Sequence, residues 1–185
     1  MPDAAGEVGA ETPLEVRVRA ALRDVPDFPR NGILFKDITP ALADGALLQA
    51  MISGMAGPWK DQRITHVAGI ESRGFIFASP IAMALGAGFI PIRKPGKLPW
   101  RTQGREYALE YGTDRLEIHL DACPAPARVL LVDDVLATGG TARAACELLE
   151  QVGGTVVGCS FLLTITALDG IRRLDKWHLE SIVGV

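Results

Sequence analysis

The part of this sequence best suited to chemistry is an apolar run that ends in two adjacent acids. Residues 128–132 are almost continuously apolar, as is typical of a buried parallel strand, and Asp133 and Asp134 follow directly. A short loop and the start of a predicted helix come next. Small residues there let backbone N–H groups approach an anion, and a helix N-terminus adds partial positive charge. We therefore predict a cradle for one phosphate group, formed by Ala137, Thr138, Gly139, Gly140 and Thr141.

The two carboxylates need a partner other than that phosphate, because like charges repel. Ribose hydroxyls, which donate hydrogen bonds, fit Asp133 and Asp134, and so does positive charge that develops on a sugar ring. A sugar phosphate satisfies both halves of the segment. The Walker A lysine and the GxGxxG dinucleotide pattern are both absent here. A purely structural strand–turn–helix is the alternative, and it does not require two adjacent acids together with Thr-Gly-Gly-Thr.

Two further segments place cations beside predicted strand ends. Ser72 and Arg73 follow a predicted strand, where an arginine either makes charge-assisted bonds to a phosphate or is a solvated turn cation. Arg93, Lys94 and Lys97 put three cations within five residues around Pro-Gly. That cluster is either a solvated loop or a set of polyphosphate ligands.

An alternating segment contains an acid that could handle protons. Residues 107–120 form two alternating runs around Gly112-Thr113, which predicts a hairpin. Glu110 lies in its first run, and a carboxylate there could exchange protons with a ring nitrogen. The alternative is an ordinary surface glutamate on a strand.

The elements that must position these residues alternate between strands and helices. This order predicts an α/β fold, a parallel sheet flanked by helices with right-handed crossovers. The predicted strands are residues 66–70, 88–92, 128–132 and 155–163, and the predicted helices are residues 14–25, 44–55, 75–85 and 140–151. Asp44 is the predicted N-cap of the second helix.

Three segments depart from that alternation. Residues 1–13 lack periodicity and are predicted to be a flexible tail ahead of one domain over 14–185. Residues 26–40 hold several prolines and are predicted to be an irregular hood. Residues 94–106 are rich in Gly, Pro and cations, and we predict that they form a mobile flap. The run after Leu168 either completes the hood or edges a sheet.

Charge, apolar patterning and cysteine spacing argue against several classes of protein. The 185 residues carry a net charge of −3 without a basic run, which disfavours a nucleic-acid partner. Residues 75–92 are uncharged, but prolines and glycines interrupt them, so they predict a buried helix, a turn and a strand rather than a membrane span. The three cysteines are far apart without metal-ligand spacing, and the N-terminus lacks a signal-peptide pattern. We expect a cytoplasmic protein with no membrane partner.

Several segments, in their order and spacing, resemble type I phosphoribosyltransferases, and among them the adenine-specific family. The resemblance covers roughly residues 26–149 and rests on FPRNGILFKDI, GIESRGFIF, IRKPGKLP, LEYG and the acidic strand–loop–helix with TGGT. It implies a parallel sheet flanked by helices, with a small hood and a mobile flap. It also implies transfer of a phosphoribosyl group from 5-phosphoribosyl 1-pyrophosphate (PRPP) to adenine, giving AMP and pyrophosphate in purine salvage, and a homodimer.

The resemblance also assigns roles to residues of this chain. Catalysis is expected from Glu110, Arg73 and Asp134. Asp133 and Asp134 would face the ribose, and residues 137–141 would hold the 5-phosphate. Pyrophosphate ligands would be Ser72, Arg73, Arg93 and Lys97. The base would contact Leu34, Phe35 and Lys36, with Tyr111 closing the site. Magnesium would be held mainly by PRPP and water, without a dedicated protein metal site.

Two other functions remain open at this stage. The first is the same transfer to another purine base, such as guanine or xanthine. The second is a non-catalytic PRPP-binding regulator, which would normally carry an appended DNA-binding domain. The chain has no basic face and retains Arg73 and Glu110, which favours the enzyme.

Overall fold

The computed structural model describes residues 12–109 and 112–185. They fall into two compact units, one within Met1–Leu48 and the other over Gln49–Val185. The division predicted from sequence, a tail over 1–13 and one domain over 14–185, stays a prediction.

The first unit combines short helices with a two-stranded antiparallel sheet. Its elements are α1 (Leu14–Ala21), β1 (Arg23–Pro26), β2 (Leu34–Asp37) and α2 (Thr39–Ala43). The prediction of a helix over 14–25 and an irregular segment over 26–40 was therefore wrong in part. β1 and β2 pair with each other, Val25 opposite Phe35. This pairing joins segments on either side of a turn, so local periodicity does not reveal it.

The next helix, α3 (Gly45–Ala56), begins where its cap was predicted. Asp44 Oδ1 accepts hydrogen bonds from the N–H groups of Ala46 and Leu47, both at 3.0 Å. These bonds satisfy two of the donors that the first turn of a helix leaves unpaired.

The second unit is built on a parallel sheet. In chain order its elements are β3 (His66–Ile70), α4 (Gly74–Leu85), β4 (Gly88–Ile92), β5 (Thr102–Leu109), β6 (Gly112–His119), β7 (Ala127–Leu136), α5 (Gly140–Gln151), β8 (Gly154–Thr164) and β9 (His178–Gly184). Five strands form the sheet in the order β4-β3-β7-β8-β9, and every pairing is parallel. The predicted fold class is confirmed. The C-terminal run supplies the edge strand β9, one of the two roles left open for it.

Helices cover both faces of this sheet. On one face, side chains of the sheet, α5 and the β5–β6 hairpin form the main core, which includes Leu131, Phe161 and Leu148. On the other face, an ideal Cβ on Gly69 of β3 would lie 2.7 Å from Ala78 Cβ, so α4 packs directly on the strand. Strands buried on both faces explain the nearly continuous apolar runs of β3 and β7.

The uncharged segment 75–92 consists of the remainder of α4, a turn at Gly86 and β4, as predicted. Within the described residues, none of the helices has the length and apolar character needed to cross a membrane.

β5 and β7 differ most from their predicted bounds, and β8 is one residue longer at each end than the predicted 155–163. β5 and β6 pair from Thr102 opposite His119 to Leu109 opposite Gly112, so Gly112 and Thr113, predicted to form the turn, belong to β6. β5 also takes in residues 102–106, which were predicted to belong to the flap, because β6 offers a backbone partner along its whole length. β7 continues to Leu136 instead of ending at residue 132, because β8 pairs with it as far as Thr164.

Candidate active site

The predicted acids and the Ser72–Arg73 turn meet where the strand order of the sheet reverses. The chain passes from β3 outward to β4 and then returns to β7 on the other side of β3. Open parallel sheets bind ligands at the carboxyl ends of strands flanking such a point. A cavity of about 240 Å³ lies there, and it is lined by Ile70, Glu71, Ser72, Arg73, Asp133, Asp134 and Thr141. The Glu71–Ser72 peptide bond beside it is cis.

Asp133 and Asp134 project beyond the end of β3. The β3–β7 pairing ends at Gly69 opposite Val132, whereas β7 continues beside β8. The two acids therefore lie on a strand that is supported on one side and borders the cavity on the other.

Asp134 is the more buried acid and is paired with a cation. Its side chain is only 5% exposed, and its Oδ2 accepts a hydrogen bond from Arg73 Nε in an ion pair. Arg73 is the residue before the first turn of α4, and its side chain is 47% exposed. The contact satisfies a buried carboxylate and fixes one edge of the guanidinium at the cavity wall.

Asp133 packs against the start of α4. An ideal Cβ on Gly74 would lie 2.8 Å from Asp133 Oδ1, and that same oxygen accepts a hydrogen bond from the Asp134 N–H at 3.0 Å. Desolvation of the carboxyl group, together with the negative charge of Asp134, raises the pKa of Asp133 well above its usual range. A cation that entered the cavity would therefore favour the ionised form of Asp133.

The predicted phosphate cradle links β7 to α5. Gly139 precedes the helix with φ of +79°, in the left-handed region that favours glycine. Its carbonyl accepts the Arg143 N–H at 3.0 Å. The loop thus leads straight into the N-terminus of α5, and Thr141 of that first turn lines the cavity.

Glu71 holds the cation that follows β4. Because β3 and β4 pair in parallel with Ile70 opposite Ile92, the next residues, Glu71 and Arg93, are neighbours. Arg93 donates to both carboxylate oxygens of Glu71, from Nη2 at 2.8 Å and Nε at 3.2 Å, and the Lys94 N–H donates to the same group at 3.0 Å. The Arg93 hydrogen bond is the main reason that the pKa of Glu71 is lowered, against the effect of burial.

The other cations of this segment differ in their surroundings. Lys94 Nζ forms an ion pair with Asp114 and donates to the Tyr107 hydroxyl at 3.2 Å, so its ammonium is held by the hairpin. Burial opposes its charge, but these hydrogen bonds outweigh that effect and raise the pKa of Lys94. Lys97 is exposed, and its backbone carbonyl accepts a hydrogen bond from Arg93 Nη1 at 2.9 Å.

The first unit has an apolar cavity of its own. It measures about 270 Å³ and is lined by Val25, Phe28, Phe35 and Asp37. The rings of Phe28 and Phe35 meet edge to face with centroids 5.1 Å apart. Lys36 Nζ forms an ion pair with Asp24 at 2.7 Å, and Leu34 is exposed.

Comparison with known proteins identifies the family. The profile of the phosphoribosyl transferase domain matches residues 42–182, which is most of the chain. The chain belongs to the phosphoribosyltransferase family. An adenine phosphoribosyltransferase of Anaeromyxobacter sp. (strain Fw109-5) is 55% identical over 166 residues, which cover 90% of this chain and 94% of that relative.

Solved structures of phosphoribosyltransferases agree with this assignment. The adenine phosphoribosyltransferase of Rhodothermus marinus is 48% identical with a TM-score of 0.88, over 93% of this chain and 98% of its own. The Saccharomyces cerevisiae enzyme, crystallised with an imino-altritol bisphosphate and adenine, is 37% identical with a TM-score of 0.85, over 91% and 98%.

The structure brings only part of the predicted phosphoribosyltransferase site together. One cavity is lined by Ser72, Arg73, Asp133, Asp134 and Thr141. The other cradle residues continue from β7 into α5, and Arg93 reaches the cavity wall through Glu71. The predicted base contacts, residues 34–36, lie in the first unit. Glu110 and Tyr111 lie outside the described residues.

Sequence analysis missed the role of Glu71 as the anchor of Arg93. The sequence did contain a clue to this pair. Two predicted parallel strands end at Ile70 and Ile92, and Glu71 and Arg93 are the residues that follow them. Strand pairing was needed to place those ends side by side.

The pairing of Glu71 with Arg93 predicts a pH-dependent contribution to stability. The folded-state pKa of Glu71 is lowered, so its contribution is complete above the unfolded-state pKa and is lost as pH falls through the folded-state pKa. We expect Glu71→Gln to lower the free energy of unfolding by about 1 kcal/mol at neutral pH and by much less near pH 3. Urea unfolding at both pH values measures this.

Asp61→Asn, which alters an exposed carboxylate, serves as the matched control and should change stability little at either pH. An equal loss at both pH values for Glu71→Gln would show that the substitution acts through packing and not through the ion pair.

Proposed function

We propose that this protein transfers the 5-phosphoribosyl group from PRPP to adenine, giving AMP and pyrophosphate in purine salvage. The observation that carries the proposal is the cavity at the strand-order reversal, which is lined by Ser72, Arg73, both acids and Thr141 in the first turn of α5. Its chemistry suits a substrate with a sugar flanked by phosphates on both sides. The choice of adenine is supported by the name and high identity of the relatives.

The 5-phosphate is assigned to the loop before α5. Residues 137–141 offer backbone N–H groups and two threonine hydroxyls around the start of a 12-residue helix. A helix N-terminus carries partial positive charge and unpaired donors, so a phosphate dianion is stabilised there without a lysine. This fits a terminal phosphate monoester.

The ribose and its developing charge are assigned to Asp133 and Asp134. Carboxylates accept hydrogen bonds from both ribose hydroxyls, and their negative charge stabilises an oxocarbenium-like transition state. Because Arg73 Nε is held by Asp134, the same contact orients the guanidinium along the cavity wall. In this proposal Asp134 contacts the sugar directly, and it acts on the pyrophosphate by orienting Arg73.

The pyrophosphate is assigned to Ser72 and Arg73, with Arg93 and Lys97 as further cations. Arg73 can make paired charge-assisted hydrogen bonds to phosphoryl oxygens. Arg93 is held by Glu71 at the cavity wall, so a polyphosphate competes with one carboxylate for it. Exposed Lys97 follows on the same segment, which extends from β4 toward the flap.

Magnesium enters with the substrate in this proposal. No group of three or more His, Cys, Asp or Glu side chains within residues 12–109 and 112–185 is arranged to hold a metal ion. Two carboxylates and a substrate rich in phosphate oxygens fit an ion that keeps several waters. Asp133 and Asp134 would contact such an ion's shell, and the ion would neutralise charge on the leaving pyrophosphate.

The base is assigned to the apolar cavity of the first unit. The cavity beside Phe28 and Phe35 has apolar walls that suit a flat, uncharged base, and the backbone of Leu34 and Lys36 supplies hydrogen-bonding groups on the adjacent strand. Glu110 is proposed to handle the proton of the purine ring and Tyr111 to close the site, both from the family resemblance. Asp24 holds the Lys36 ammonium, so contact through its backbone is favoured.

We also propose a cytoplasmic homodimer. Ile76 and Met83 lie two turns apart on the same side of α4 and are 41% and 83% exposed. Phe89, on the edge strand β4, is 38% exposed and packs against Phe75 of that helix. An exposed apolar surface beside an unpaired strand edge suits a second copy of the chain.

A competition assay tests the reaction and the base together. The protein is mixed with Mg²⁺, PRPP and equal amounts of adenine, guanine, hypoxanthine and xanthine. Formation of AMP alone is the expected result, because a 6-oxopurine presents an acceptor where adenine presents a 6-amino donor and therefore needs different hydrogen-bonding groups in the pocket. Another mononucleotide would overturn the choice of adenine. PRPP binding without any product would favour the regulator.

Asp134→Asn tests the carboxylate at the sugar. Loss of one preorganised electrostatic contact should lower kcat by about 10²–10³-fold. The amide retains an acceptor for Arg73, so the melting temperature should change little. Steady-state kinetics and thermal unfolding are measured beside Asp175→Asn, an exposed control. Wild-type turnover in Asp134→Asn would remove this carboxylate from the mechanism.

Met83→Glu tests the dimer surface. A charge buried against a second copy is costly, so the variant should shift from dimer to monomer at micromolar concentration. Light scattering after size exclusion measures the mass, with Leu120→Glu as the control at another exposed apolar residue. A dimer that persists in Met83→Glu would place the interface elsewhere, and a monomeric wild type would exclude the dimer.

A further inference from the structure

The loop assigned to the 5-phosphate is in direct backbone contact with a turn far along the chain. An ideal Cβ on Gly170 would lie 2.0 Å from the Ala137 carbonyl oxygen and 2.9 Å from Gly139 N. From the other side, a Cβ on Gly139 would lie 2.4 Å from the Gly170 carbonyl oxygen. The two glycines therefore let two backbone segments touch without an intervening side chain.

The turn that carries Gly170 is anchored independently of the loop. It continues as a short 3₁₀ segment, Gly170–Leu174, whose last residue is buried in the main core. Trp177, shortly after it, is also buried there, and its Nε1 donates to Glu150 Oε1 on α5 at 2.9 Å.

The approach to the turn is tied to the sheet as well. The Ile165 N–H donates to the Leu136 carbonyl at 2.9 Å, which joins the chain after β8 to the last residue of β7. The Thr166 N–H and hydroxyl both donate to the Val185 carbonyl, at 2.8 and 2.9 Å. The segment is thus held on both sides of Gly170.

We propose that Gly170 is a positioning residue for PRPP, through which the anchored turn holds the phosphate loop in its binding shape. This inference rests on the proposed function, since it takes the 5-phosphate to lie on that loop. Donors that bind an anion must be held in place before it arrives, and a displacement of about 1 Å can cost up to a hundredfold in rate. The turn blocks the loop from moving away from the cavity on the side of Ala137 and Gly139.

Gly170 is a sharper site for a test than Gly139. Gly139 has a positive φ, so a side chain there would strain the backbone as well as meet the turn. The φ of Gly170 lies outside that region, so alanine changes only the contact. Gly57 offers a matched control, because it has ordinary φ and no atom within 4 Å of its ideal Cβ.

The experiment compares Gly170→Ala with Gly57→Ala and the wild type. In Gly170→Ala we expect KM for PRPP and the Kd of ribose 5-phosphate to rise about tenfold or more, because the loop must shift to admit the methyl group. The KM for adenine and the Kd of pyrophosphate should stay within about twofold, because neither ligand uses the loop. Gly57→Ala should match the wild type throughout.

Two results would overturn the proposal. The first is a folded Gly170→Ala protein with wild-type affinity for ribose 5-phosphate. The second is an equal loss of affinity for ribose 5-phosphate and pyrophosphate, which would indicate general distortion. A wild-type protein that binds ribose 5-phosphate but forms no AMP would refute the proposed function. The comparison of ribose 5-phosphate affinities between the variants could still be interpreted in that case.

Hydrogen exchange in the wild-type protein gives an independent measurement if Gly170→Ala fails to fold. Ribose 5-phosphate should slow amide exchange in residues 137–141 and also in residues 169–174, because the two segments are in contact. Pyrophosphate alone should leave residues 169–174 unchanged. Slowing confined to the loop would contradict the proposed coupling.

Discussion

Two neighbouring carboxylates in the C-terminal half of a buried strand impose the constraint on which the site depends. In real proteins, moving a carboxylate out of water costs on the order of several kcal/mol unless a cation or hydrogen bonds replace its lost hydration. Asp134, with a nearly inaccessible side chain, meets this condition through Arg73, and the pKa of Asp133 is raised. Similar pairing recurs between Arg93 and Glu71, which lines the cavity, and between Lys94 and Asp114 of the hairpin.

The parallel sheet supplies these pairs because it brings strand ends together. Arg73 follows β3 and Asp134 belongs to β7, and these strands are neighbours although 61 residues separate the two side chains. Glu71 and Arg93 meet by the same rule across β3 and β4. In the proposed reaction, a substrate with several negative charges and a sugar that becomes positive would meet side chains of both signs. Each charged side chain could then exchange its protein partner for a charged group of the substrate, so that no buried charge is left unpaired.

Some parts of the fold could be predicted from the sequence and others could not, for identifiable reasons. The bounds of β3, α4, β4 and α5 follow from apolar runs, glycines and helix periodicity, which are local signals. The pairing of β1 with β2, the register of β5 with β6 and the extension of β7 depend on a backbone partner elsewhere in the chain. Local patterns carry little information about such partners.

The same division holds for the site. The sequence by itself determined the chemistry: adjacent acids, a Thr-Gly-Gly-Thr loop and an arginine after a strand specify groups for a sugar between phosphates. Only the tertiary structure decided which cation each carboxylate holds, since that depends on strand order and register. It alone revealed Gly170 against the loop before α5, because a contact between two backbones leaves no mark in the sequence except a glycine, and glycines occur for many other reasons.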